Sequence, residues 1–267
     1  RDPYAIHAKK ILGLEPLPDL IREADARERG NLFHAILERF VKSREEAPGR
    51  LDDLARIGRE EFAKAALPAD VHALWWRRFE KTVSGIFGIE VKRAETIDRS
   101  VIEASSEKLR VDGTSVTLSG RADRIDILKD GTAAIIDYKS GSSSSAKQAK
   151  ILLAPPLPLE AALLARGAFN DPGVSQVSEL AYERLKPNGE VLWEPVANTG
   201  GKLESAAALG ELAWEKLGHI LRHYGNPETA YESQVLPASE RKAGDYDHLA
   251  RVLEWSSGPD AEEGETA

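Results

Sequence analysis

Neither cysteine nor methionine occurs anywhere in this sequence. Without cysteine there can be no disulfide, no zinc ribbon and no cysteine-held iron–sulfur cluster, and the redox compartment stays undecided. Without methionine there is no initiator, so a chain that opens Arg1-Asp2-Pro3-Tyr4 reads as a fragment of a longer protein. That opening also lacks the basic and apolar regions of a signal peptide. No apolar run approaches the roughly 20 residues that cross a bilayer, so no membrane span is expected and a cytoplasmic location is the default. No G-x-x-x-x-G-K-[ST] phosphate loop is present, which argues against an ATP-driven motor in this stretch. Positive charge is also short: 36 basic against 44 acidic side chains leave −8. That deficit speaks against tight autonomous binding of nucleic acid, although a partner can supply a basic channel and carboxylates can hold metal.

What is present is an ordinary globular composition, 42% hydrophobic and 30% charged over 267 residues. From Asp25 to Ser43, Leu32, Phe33, Ile36, Leu37, Phe40 and Val41 form a helical stripe. Residues 50–66 and 68–94 give two more helical patterns, the second with Asp70 as its expected cap. The period then falls to two. Val116-Thr117-Leu118 and Asp123 to Leu128 read as strand, Lys129-Asp130-Gly131 as a turn, and Thr132 to Lys139 as the returning strand of a hairpin. The alternation changes parity at Gly120-Arg121, where a bulge or kink is expected. After a flexible Gly141-to-Ser145 loop come a helix from Leu157 to Phe169 and a strand pair, Ser178 to Leu185 and Val191 to Val196, turning at Pro187-Asn188-Gly189. A last helix runs from Ala206 to Tyr224. The pattern implies one α/β domain over residues 1–256, with a central mixed β-sheet flanked by helices and a disordered acidic tail over 257–267.

On the strand Ile135-Ile136-Asp137-Tyr138-Lys139, Asp137 and Lys139 share a face, about 6–7 Å apart. That pair suits phosphodiester hydrolysis: the carboxylate holds a hard divalent cation, and the lysine activates water or offsets developing charge. The plain alternative is a strand leaving the core with both charges in solvent. Asp123 shares its face with Ile125 and Ile127 and so points inward, either toward a metal shared with Asp137 or as a hydrogen-bonded buttress. Asp126, on the opposite parity with Arg124, reads as a surface residue paired with arginine. His34 borders the apolar stripe with Gly30 one turn earlier, and a lone histidine there is more often structural. Trp75, Trp76, Arg77, Arg78 and Phe79 with Lys81, Lys92 and Arg93 could face DNA, but buried tryptophans with solvated arginines are the commoner outcome. Asp245, Tyr246, Asp247 and His248 suit no single face and read as structural.

Taken in order, Arg29-Gly30-x-x-x-His34, Gly120-Arg121-Ala122-Asp123 and Ile136-Asp137-Tyr138-Lys139-Ser140-Gly141 resemble the RecB-like branch of the PD-(D/E)XK nuclease superfamily. More closely, the chain is similar to the C-terminal nuclease domains of the AddB family. Asp2-Pro3-Tyr4-Ala5 with Leu12-Gly13-Leu14 matches their start, and the run from Gly244 to Arg251 matches their end. The resemblance implies a restriction-endonuclease-like core. It also implies that His34, Asp123 and Asp137 ligate Mg2+ or Mn2+ with the Tyr138 carbonyl, while Lys139 positions or deprotonates the attacking water. The implied role is exonucleolytic processing of double-strand break ends for recombinational repair, acting on single-stranded DNA as a partner helicase subunit unwinds the duplex. Two departures stand out. Pro156 and Glu160 occupy the places of a glutamine and a tyrosine, and no iron–sulfur cluster can form, so the terminal segments must close by ordinary packing. A catalytically inactive nuclease-fold module, serving as scaffold or DNA guide, is the competing function. Loss of the lysine or of one Asp would favour it, and neither is lost.

Overall fold

In a computed structural model, residues 2–16, 24–44, 50–140, 145–198, 205–233 and 244–251 are described. The chain forms two compact units, one from residues 23–220 and one from residues 1–22 with 221–267. The anticipated tail over 257–267 and most of the expected Gly141-to-Ser145 loop lie outside the described residues. Ser145 itself caps helix α5 (Ala146–Lys150).

The larger unit is built on a five-stranded mixed sheet in the order β1 (Ile97–Ser105), β4 (Arg121–Leu128), β5 (Ala133–Ser140), β6 (Val177–Leu185) and β7 (Val191–Asn198). Only β5 and β6 run parallel. The β4–β5 hairpin turns as read, with Gly131 at φ +83°, the left-handed conformation glycine adopts at no steric cost. Gly189, at φ +95°, does the same between β6 and β7.

Three helices, α2 (Ala26–Ser43), α3 (Leu51–Lys64) and α4 (Ala69–Ala94), cover one face of this sheet. Phe33, Ile36, Leu37 and Phe40 of α2 meet Phe62, Phe79 and Ile86 and, from β5, Ala134, Ile136 and Tyr138. Helix α4 starts after Pro68, which stands at the cap with no side-chain bond. Asp70 is instead the second residue of the first turn, where its charge favours the helix dipole. On the other face lies α6 (Pro156–Ala165), apolar except for Glu160 and largely buried along its middle. It contacts β4, β5 and β6, and α7 (Ala206–Tyr224) packs on it where Gly210 meets Ala161. Helix α6 stops short of the expected Phe169, and Gly167 follows its end at φ +69°.

Two expectations about the strands are corrected. The parity change at Gly120-Arg121 is a change of sheet. Leu109–Arg110 (β2) and Thr117–Leu118 (β3) form their own small ribbon before the chain enters β4. Gly120 sits there because a Cβ would come within 3.2 Å of Leu163. The region before residue 116 also contains a strand, β1, that helical periodicity does not reveal.

In the smaller unit, Asp2 caps α1 (Pro3–Ile6), and a π-helical turn over His7–Ile11 follows. Its two chain segments are joined by Tyr4 N–H to Glu232 O (3.3 Å) and Tyr246 O–H to Leu14 O (2.8 Å). Tyr246 is thus structural, within a turn over residues 245–251. Among the described residues no helix is long and apolar enough to cross a membrane.

Candidate active site

Strands β4 and β5 pair as far as Arg124 and Ile136, and past that point the ladder stops. The backbone of Tyr138 is left facing the gap, and two side chains take it. Asp123 Oδ2 accepts the Tyr138 N–H at 2.9 Å, and His34 Nε2 donates to the Tyr138 carbonyl at 2.9 Å. His34 Nδ1 lies 3.4 Å from the same Asp123 oxygen. Helix α2 reaches this point because it runs against β5. Gly30 faces Ser140, whose Oγ would lie 3.4 Å from a Cβ there, and one turn later His34 faces Tyr138. Four residues of helix, about 6 Å, match two residues of strand, about 6.6 Å.

Asp137 and Lys139 point to the other side of β5. Lys139 Nζ lies 2.7 and 2.5 Å from the two Asp137 oxygens and 5.2 Å from the centre of the Tyr182 ring on β6. Their side chains keep 14% and 23% of their exposure, so both reach solvent. All four residues singled out in the sequence, His34, Asp123, Asp137 and Lys139, therefore meet at one cleft, with the Tyr138 carbonyl among them.

Two acids that periodicity did not reveal join them. Glu103 on β1 lies opposite Asp123 in register but is skipped by the ladder, with φ at +54°. A left-handed glutamate costs about 1–3 kcal/mol, and such strain concentrates at working sites. Its carboxylate pairs with Arg121 at 2.5 Å. One ligand atom from each of His34, Glu103 and Asp123 lies within 4.8 Å of the others. Glu160 enters from α6, and its Oε2 is buried with no hydrogen-bond partner among the described residues. The only advance sign of Glu160 was its place where related domains carry a tyrosine, and nothing in the mixed polar and apolar pattern of β1 marked Glu103.

The electrostatics follow from crowded acids. Burial pushes the Asp137 carboxyl up to about 6, against the pull of Lys139 and with the help of the Asp123 charge. Burial pushes Glu160 far higher, and Asp137 and Asp123 add to it. Burial alone would raise Asp123, but His34 and the Tyr138 N–H outweigh it and hold Asp123 below its ordinary value. Burial likewise would lower His34, yet Asp123, Asp137 and the Tyr138 carbonyl lift it above the ordinary histidine range. This is an excess of negative charge with an orphaned buried oxygen. An imidazole, carboxylates and a carbonyl are donors for a hard divalent cation, so the residues fit such an ion.

Behind the cleft, the expectation of a surface Asp126 fails. Asp126 and Arg124 are 0% and 1% exposed, because β4 is an inner strand whose second face is covered by helices. Arg124 donates to Glu90 (2.5 Å) and Asp126 (2.6 Å), and lies 3.3 Å from the Tyr138 hydroxyl. Arg93, once a possible DNA contact, is bound to Asp126 and Glu179. Trp75 and Phe79 are in the core, so the Trp75-to-Phe79 run offers no stack of aromatic faces. The buried network fixes the Tyr138 side chain from behind while His34 and Asp123 fix its backbone in front.

Among curated proteins, an uncharacterized protein of Rickettsia felis is 26% identical over 265 residues, covering 96% of this chain and 30% of its own length. One from Rickettsia typhi is 28% identical over 177 residues, 64% of this chain and 20% of its own. This chain thus spans a third or less of these relatives. A solved structure, that of SSO0001, aligns with 82% of this chain and 84% of its own at 13% identity, with a TM-score of 0.27. A family model described as PD-(D/E)XK nuclease superfamily matches residues 3–245, nearly the whole chain, and its nucleases use divalent metals. The mixed sheet flanked by helices is the restriction-endonuclease-like core of that group, and this chain belongs to the PD-(D/E)XK nuclease superfamily.

Proposed function

We propose that this chain is the nuclease domain of an AddB-type helicase–nuclease, a Mg2+- or Mn2+-dependent exonuclease acting on single-stranded DNA at a processed double-strand break. The observation that carries the reading is the pairing of Asp137 and Lys139 on one strand face, with Asp123 and His34 closing on the residue between them.

In this reading Asp123, Asp137, His34 and the Tyr138 carbonyl hold the cation, and Glu103 stands close enough to His34 and Asp123 to join those two. When bound, the ion would neutralise the scissile phosphate and stabilise the leaving oxygen. The rest falls to the chain. Lys139, anchored between Asp137 and the Tyr182 ring, orients the attacking water in line with phosphorus and offsets the charge that grows on the phosphate oxygens. The buried Arg124–Glu90–Asp126 network keeps β5 from shifting as a strand is drawn through. The relatives are several times longer than the match, which suits one module of a larger machine. A motor and a partner subunit would lie outside this chain.

The test compares linear single-stranded DNA, closed circular single-stranded DNA, blunt duplex and RNA, each with Mg2+ or Mn2+. Loss of the linear DNA strand alone supports the reading. Equal cutting of the circle would reject exonuclease action, and preference for RNA would reject the DNA-repair role.

A further inference from the structure

We propose that a groove at the end of β5 is a phosphate subsite, which holds a backbone phosphate of the bound strand one or two positions from the one that is cut. This rests on the nuclease reading of the neighbouring cleft. The groove is shallow and open to solvent, with about 10 Å³ of accessible space below its rim. Arg29 of α2, Arg78 of α4, Lys186 beyond β6 and the Ser140 hydroxyl line it.

Its charges are unbalanced. Arg29 and Arg78 have no acidic partner among the described residues, and Lys186 pairs with Glu190 at 2.8 Å. Burial, and then the Arg78 charge, pull the Arg29 pKa down, the mark of a desolvated cation facing another cation. On a chain of net charge −8 with 44 acids to choose from, an unpaired arginine couple is a site for an anion from outside. The Arg29 guanidinium lies 5.9 Å from the centre of the Trp75 ring, which helps to hold its plane. Thr82 also borders the groove, but its hydroxyl is donated to the Phe79 carbonyl. Guanidinium groups and one free hydroxyl match phosphate oxygens.

Position makes the phosphate a nucleic-acid one. Ser140 follows Lys139 directly, and Gly30, next to Arg29, brings α2 against Ser140 one turn before His34. Arg29 precedes His34 by five residues, about 7.5 Å along the helix. That is close to the spacing of neighbouring phosphates along a single strand.

The experiment measures binding of short single-stranded DNA in EDTA, so that it does not depend on cleavage, for wild type, Arg29→Gln/Arg78→Gln, Lys186→Gln and Lys92→Gln. Thermal melts check folding, and the exposed Lys186→Gln carries the test if the double variant melts early. At about 0.1 M salt the double variant is expected to bind about 5–20-fold more weakly, with the slope of log K against log salt reduced by about 1–2. Lys186→Gln should show a smaller loss, and Lys92→Gln, outside the groove, should match wild type. Equal loss on 5′-phosphorylated and 5′-hydroxyl strands identifies an internal phosphodiester, and loss on phosphorylated strands alone identifies a terminal phosphate. Unchanged affinity and slope in both folded groove variants would overturn the subsite, as would wild type that binds no strand or binds polyglutamate equally well. If wild type cuts DNA while the slopes stay unchanged, only the subsite falls. If the slopes change but nothing is cut, only the nuclease reading falls.

Discussion

Asp123 accepts the backbone N–H of Tyr138 at the point where the β4–β5 ladder stops, so one carboxylate replaces a missing strand hydrogen bond. The same oxygen faces His34, which holds the Tyr138 carbonyl. Structural and proposed catalytic duties thus meet in one side chain, and substitution can separate them. Asp123→Ala should cost about 1–3 kcal/mol in a denaturant melt, because the Tyr138 N–H loses its acceptor. Asp123→Asn keeps an acceptor oxygen and should cost less than half of that. Both should lose metal-dependent cleavage. Equal stability of the two variants would show that the bond to Tyr138 contributes nothing.

Metal affinity should rise with pH. Asp137 is raised to about 6 and His34 is also raised, so both must give up a proton before they can act as ligands. Titration calorimetry with Mn2+ should give markedly tighter binding at pH 7.5 than at pH 5.5, with proton release on binding. Asp137→Asn should abolish most of that affinity. Affinity that stays flat over this range would contradict the ligand assignment.

Arg124 balances two buried acids, Glu90 and Asp126. Arg124→Met leaves both without their main counter-charge and should destabilise the fold by about 3–5 kcal/mol. The readout is the denaturation midpoint, which should fall well before any loss of secondary structure at zero denaturant.

Glu183, on the same side of the sheet, is fully buried, and neither carboxylate oxygen has a hydrogen-bond partner among the described residues. Burial, and then the Glu90 charge, push its pKa up to about 8. The native state therefore keeps this proton when the unfolded chain has lost it, and stability falls as pH rises from about 4.5 to about 8. Glu183→Gln removes that loss. Its stability relative to wild type should grow across the same interval and then level off, as followed by thermal melts. A gain that shrinks with pH would contradict the assignment.

Much of this was legible in the sequence, for local reasons. Period-two alternation put Asp137 and Lys139 on one face and turned Asp123 inward, and the helical stripe placed His34 at its border. The strand pair after residue 177 and the helix from Ala206 to Tyr224 were equally local. What stayed hidden depends on partners far away in sequence. Alternation assumes one wet face, and β4 has none, so Asp126 and Arg124 passed for surface residues until α4 was seen above them with Glu90 and Arg93. Strand β1 carries too little contrast to announce itself, and with it Glu103 was missed. Glu160 stood only as a departure from the related domains' tyrosine and instead brings an acid to the site from α6.

The most direct test of the central claim is cleavage of end-labelled single-stranded DNA with Mg2+ or Mn2+ by wild type, Asp137→Ala and Lys139→Ala. The account predicts cleavage that needs the metal, disappears in Asp137→Ala and drops by about 10²–10⁴-fold in Lys139→Ala. Cleavage that persists undiminished in both variants would contradict it.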